Sequence, residues 1–70
     1  MKSKKEQILD MSFSLFLEKG YDNTSISDIL SKLDIARGTL YYHFESKEAI
    51  MDAIIERTAK KVVEEAKGIV

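Results

Sequence analysis

Ser25-Ile26-Ser27-Asp28-Ile29-Leu30-Ser31-Lys32-Leu33-Asp34-Ile35-Ala36-Arg37-Gly38-Thr39-Leu40-Tyr41-Tyr42-His43-Phe44 is the stretch on which the fold turns. Ile26, Ile29, Leu30 and Leu33 recur at i, i+3, i+4 and i+7, the spacing that gathers side chains on one helical face. Ser25, with Asp28 three positions on, resembles a capping arrangement, the acid lying in the positive first turn. Asp34 tolerates turn conformations. Beyond it the pattern predicts a third short helix over 36–44, in which Leu40 and Phe44 at i and i+4 face inward together. Two short helices, 26–33 and 36–44, separated by a tight turn have the spacing of a helix-turn-helix.

The flanks are helical too. Ser3 and Glu6 match the capping box, in which each side chain satisfies the other residue's free backbone N–H. Ile8, Ser12, Leu15 and Phe16 then share one face, and Lys19-Gly20 ends a helix over about 4–19. Glycine takes the left-handed conformation cheaply at that end, and Tyr21 just beyond can pack back on the last turn. Asp22-Asn23-Thr24-Ser25 is turn chemistry. Ser46 caps a fourth helix, with Glu48 in its first turn, that runs to about Ala66 without an internal breaker. The expected fold is all-α: a three-helix, homeodomain-like helix-turn-helix bundle plus a long fourth helix. Residues 1–6 read as a basic arm and helix start, 7–58 as the domain with its motif at about 25–44, and 59–70 as a helix extension.

Composition narrows the functions. Seventy residues make one small domain, 44% hydrophobic and 33% charged, a globular balance. Cysteine is absent, which removes disulfides, thiolate metal sites and thiol nucleophiles. Eleven basic residues stand against 12 acidic ones, a formal charge of -1, so any case for nucleic acid rests on where the charges sit. No apolar run approaches the eighteen or so residues that span a bilayer. The reading is a soluble, cytoplasmic protein in a reducing compartment. No catalytic constellation stands out: there is no Gly-rich phosphate loop and no histidine paired with a nucleophile. With His43 the only histidine, a metal site lacks ligands. The chain reads as a non-enzyme with no cofactor of its own.

In a helix-turn-helix the second short helix enters the major groove and its N-terminal residues meet base edges. Arg37, Thr39, Tyr41, Tyr42 and His43 place a guanidinium, a hydroxyl, two phenols and an imidazole on that helix, a mixture of base-reading and phosphate-binding donors. Together with Ile8-Leu9, Leu15-Phe16, Lys19-Gly20-Tyr21, Thr24-Ser25, Asp28-Ile29 and Ser46-Lys47-Glu48, the run Gly38-Thr39-Leu40-Tyr41-Tyr42-His43-Phe44 resembles the N-terminal DNA-binding domain of TetR-family transcriptional regulators. The resemblance runs from about Gln7 to Ile54. It implies a bacterial or archaeal regulator, nucleoid-associated and usually a repressor, that binds a palindromic operator in double-stranded DNA as a homodimer. It also implies a C-terminal domain that holds a small-molecule inducer and supplies the dimer interface.

Carried over position by position, the resemblance puts Ser25 near a phosphate at the start of the motif. It puts Arg37, Gly38 and Thr39 at the base edges, with Gly38 letting the backbone approach. Tyr41, Tyr42, His43 and Lys47 grip phosphates. The chain departs from the family at Leu30, where a small residue is usual, at Asp34, where Gly is usual, and at Ala36, where Ser often caps the recognition helix.

Plainer roles stand beside these. Arg37 alone reads as a solvated cation, and His43 as a packed or capping histidine. Tyr41 suits the core as well as a phosphate, and a tyrosine does both. Lys47 opposes the helix dipole at the start of its helix, which points to a functional reason for it. Lys2, Lys4 and Lys5 form a basic arm that, with Lys32, Arg37 and Lys47, falls on or near the proposed face. Asp52, Glu56, Glu64 and Glu65 lie along the fourth helix, away from it. Two apolar stripes remain, Leu9, Phe13 and Leu17 in the first helix and Ala59, Val62, Val63 and Ala66 in the fourth. Such stripes mark a missing partner surface. They support the expectation that the chain is an N-terminal piece of a longer regulator, and the alternative of a helical protein-interaction module.

Overall fold

The computed structural model describes residues 2–69, with side chains through residue 60. The helices are α1 (Lys4–Lys19), α2 (Ile26–Leu33), α3 (Arg37–His43) and α4 (Lys47–Ile69). Ala36 and Phe44, expected inside the third helix, are its extended N-cap and C-cap, and α4 outruns the expected end near Ala66. Of the C-terminal stripe, Val62, Val63 and Ala66 lie outside the residues whose side chains are described.

α1 is the hub against which α2, α3 and α4 all pack. Its face of Ile8, Ser12, Leu15 and Phe16 is buried, as the periodicity predicts. Ile29 from α2, Leu40 and Phe44 at the two ends of α3's inner edge, and Ile50 and Ile54 from α4 complete the core. Leu9 is buried with this core and not displayed in a stripe, whereas Phe13 and Leu17 are exposed. They border an apolar groove between α1 and α4, lined on the α4 side by Met51, Ile54 and Ile55.

Local chemistry sets each boundary. Ser3 caps α1 by accepting from the Glu6 N–H, but the box is not reciprocal: the Glu6 carboxylate accepts from the Ser3 hydroxyl instead of a backbone N–H. Gly20 ends α1 at φ 90° and ψ 150°, beyond the left-handed helical basin and in a region that is essentially glycine's alone. Tyr21 packs back on Phe16, ring centroids 5.1 Å apart. Ser25 and Asp28 form a full capping box on α2. Asp34 terminates α2 in the left-handed conformation, φ 55° and ψ 47°, and its N–H donates to the Leu30 carbonyl. Ile35 and Ala36 then suffice to turn the chain into α3.

Candidate nucleic-acid interface

α3 is short and buries one of its own residues, Leu40. Leu40 and the C-cap Phe44 anchor it to the core, so its opposite side is free to face outward. Arg37, Gly38, Tyr41 and Tyr42 are exposed, and Thr39 and His43 are half-buried beside them. Tyr42 is 85% exposed, and its ring meets the His43 imidazole edge-on at 5.1 Å between centroids. Tyr41, at 43%, is shared between packing and solvent, as its two readings allow. From Ile35 to Phe44 there is no acidic residue; Asp34 and Glu45 flank the run.

Arg37 does not hang free. Its Nη2 donates to the hydroxyl of Ser27 on α2 at 3.1 Å, which ties the first residue of α3 to the first turn of α2. Gly38 has no heavy atom within 4 Å of where a Cβ would stand, so the packing of the chain does not require a glycine there.

Ser25 is exposed at the start of α2, its hydroxyl accepting from the Asp28 N–H at 3.1 Å. The Asp28 carboxylate accepts in turn from the Ser25 N–H and from Lys19 Nζ, both at 2.9 Å. The Ser25 backbone bond, joined by Lys19 and the Ser25 hydroxyl, holds the Asp28 carboxyl at a pKa of about 2. The turn before it is built by Thr24, 1% exposed, whose hydroxyl reaches the carbonyls of Gly20 (2.8 Å) and Leu15 (3.3 Å).

Lys47, expected to grip a phosphate, reaches back to Tyr21. Its ammonium donates to the Tyr21 carbonyl at 2.8 Å and sits 4.2 Å from the centroid of the Tyr21 ring. The basic arm is likewise partly engaged. Lys2 pairs with Asp10, which also pairs with Arg57 of α4 at 2.9 Å, and these two cations hold the Asp10 carboxyl below its usual range. Lys5 stands with Leu9, Glu56, Arg57 and Lys60 between α1 and α4, away from α3. Lys4 and Lys32 are exposed. Among the described residues no group of three or more His, Asp or Glu side chains could hold a metal, and no described helix is long and apolar enough to cross a membrane.

A small core with an outward-facing second helix defines a helix-turn-helix domain, and residues 8–54 match the model of the bacterial regulatory proteins, tetR family. The chain belongs to that family. Over 52 residues it is 42% identical to the biofilm operon icaADBC HTH-type negative transcriptional regulator IcaR of Staphylococcus aureus, and equally to that of Staphylococcus epidermidis; 74% of this chain and 28% of each relative are aligned. A transcriptional regulator from Aquifex aeolicus VF5 superposes with a TM-score of 0.87 at 45% identity, over 89% of this chain and 36% of that one. A TetR-family transcriptional regulator from Pectobacterium atrosepticum gives 0.75 at 27% identity, over 97% and 38%. The chain therefore spans well under half the length of these proteins.

Proposed function

We propose that this chain is the DNA-reading part of a transcriptional repressor, docking α3 in the major groove of duplex DNA. The observation that carries this is the outward face of α3: a tyrosine 85% exposed, an arginine, and no acid from Ile35 to Phe44. A phenol that exposed adds little to the core, whereas phosphate and base edges use such donors. Arg37 reads a base edge, Thr39 lies beside it, and Gly38 lets the backbone approach. Ser25, Tyr41, Tyr42 and His43 meet phosphates on either side. The open space at Gly38 supports this, since a side chain there meets nothing within the protein. That the staphylococcal relatives are named negative regulators supports repression as the direction of control.

In the whole protein we place a homodimer, with the inducer and the dimer interface in the part beyond this domain, and no catalytic role. Two recognition helices then lie about 34–36 Å apart, one DNA turn, or a multiple of it. The test is a titration of the chain against pooled random duplexes at two salt concentrations, with sequencing of the bound fraction. Enrichment of a recurring sequence, with affinity falling as salt rises, is the expected result. Salt-dependent binding without enrichment removes the base-reading roles, and no binding at low salt removes the DNA reading altogether.

A further inference from the structure

Lys47 stands where a cation is disfavoured, at the first residue of α4 and in the positive end of its dipole. The structure shows where its charge goes. The ammonium leaves the helix end and meets Tyr21, 26 residues earlier, through two contacts at once: the carbonyl at 2.8 Å and the ring face at 4.2 Å. Burial first, and then the charges of Glu48, Asp22 and Asp52, push the Tyr21 phenol up. The ammonium therefore already has its partners within the protein.

The contact joins two pieces of backbone that otherwise lie far apart in sequence. Tyr21 opens the turn that delivers Ser25 and the start of α2. Lys47 follows α3 by the short link Phe44-Glu45-Ser46. Thus the beginning of α2 and the end of α3 are each one short segment from the same Lys47–Tyr21 contact. Those two ends are where the proposed phosphate contacts lie, Ser25 on one side and Tyr42 and His43 on the other. We propose that Lys47 is a positioning residue for DNA recognition: by holding Tyr21 it sets the separation of the two phosphate-contacting ends of the motif, and so the seating of Arg37 between them. The proposal rests on the DNA-binding reading above and replaces the phosphate role expected for Lys47.

The experiment compares wild type with Lys47→Met, Lys47→Arg and Lys47→Gln on the duplex enriched from the random pool and on one random duplex of equal length. Melting followed by circular dichroism establishes that each variant is folded. Lys47→Met keeps the stem and loses the ammonium. It is expected to lose several-fold more affinity for the enriched duplex than for the random one, and to keep the wild-type salt slope on random DNA. Lys47→Arg, which can donate to the carbonyl and stack on the ring, is expected to restore the discrimination. An equal loss on both duplexes, with the salt slope smaller by about one unit, would mean that Lys47 neutralises a phosphate and would overturn the proposal. Should Lys47→Met not fold, Lys47→Gln decides on the same slope: unchanged for a positioning residue, reduced for a phosphate contact. If the wild-type chain shows no salt-dependent DNA binding, the DNA reading fails and the proposal with it; if only the Lys47 outcomes fail, the DNA reading stands.

Discussion

Arg37 Nη2 lies 3.1 Å from the Ser27 hydroxyl, so the side chain assigned to read a base is oriented by the other helix of the motif. An exposed arginine otherwise samples many rotamers, and ordering it on binding costs free energy. Ser27 removes part of that cost in advance. Arg37→Ala is expected to lower affinity for the enriched duplex by about 1–3 kcal/mol and to change random-duplex affinity far less. Ser27→Ala is expected to act in the same direction by about 1 kcal/mol or less, and to have no effect once Arg37 is already alanine. Equal losses on the two duplexes for Arg37→Ala would remove its base-reading role. A full additional loss from Ser27→Ala in the Arg37→Ala background would show that Ser27 touches DNA itself.

Two buried hydroxyls predict opposite signs. Thr24 is 1% exposed, with its Oγ1 2.8 Å from the Gly20 carbonyl; Ser12 is fully buried, and its Oγ has no hydrogen-bond partner among the described residues. Thr24→Val leaves carbonyls behind in a buried turn and is expected to destabilise by about 1–3 kcal/mol. Ser12→Ala removes an unpaired hydroxyl from the core and is expected to be neutral or to stabilise by up to about 1 kcal/mol. Urea denaturation of the two variants beside wild type checks both signs.

The first two helices were legible because their ends are written in local chemistry: Ser3, Gly20, Ser25 and Asp34 each act on backbone within a turn of themselves. The inner edge of α3 was equally plain, since Leu40 and Phe44 are four residues apart. Relations that cross the fold were not. Lys47 meets Tyr21 across 26 residues and Arg37 meets Ser27 across ten, and periodicity is silent at such distances. The dipole conflict at Lys47 did signal that something unusual held it, but not what. Leu9 looked like part of an exposed stripe with Phe13 and Leu17; it is buried in the core cluster, against which Ala53 of α4 also packs. Ile55 of the same groove was missed, being outside the stripe traced along α4.

The capping box of α2 makes stability depend on acid. The Asp28 carboxyl has a pKa of about 2 in the folded chain against 3.8 for the unperturbed group, so the unfolded chain takes up its proton first. Its contribution is therefore complete above about pH 4 and is lost as pH falls from there towards 2. Asp10, lowered by its bonds to Lys2 and Arg57, adds to the loss in the acid range. Asp28→Asn is expected to flatten the fall in stability between about pH 4 and 2, measured by denaturant midpoints at a series of pH values. A variant whose midpoints track wild type throughout that window would show that Asp28 is not depressed in the folded chain.

Two glycines, Gly20 at the end of α1 and Gly38 within α3, divide structure from function. Gly20 has φ 90°, where any side chain is strained, so Gly20→Ala is expected to destabilise by about 1–3 kcal/mol. Gly38 lies within α3, where a Cβ would meet nothing within 4 Å. A helical glycine there costs conformational entropy that alanine does not, so Gly38→Ala is expected to stabilise by about 0.4–1 kcal/mol. If the glycine instead serves close approach to DNA, the same substitution weakens binding while it raises the melting temperature. A stability gain together with lost affinity for the enriched duplex is the expected pair of results. Unchanged DNA affinity in the stabilised variant would show that α3 does not bring its backbone against the groove at Gly38.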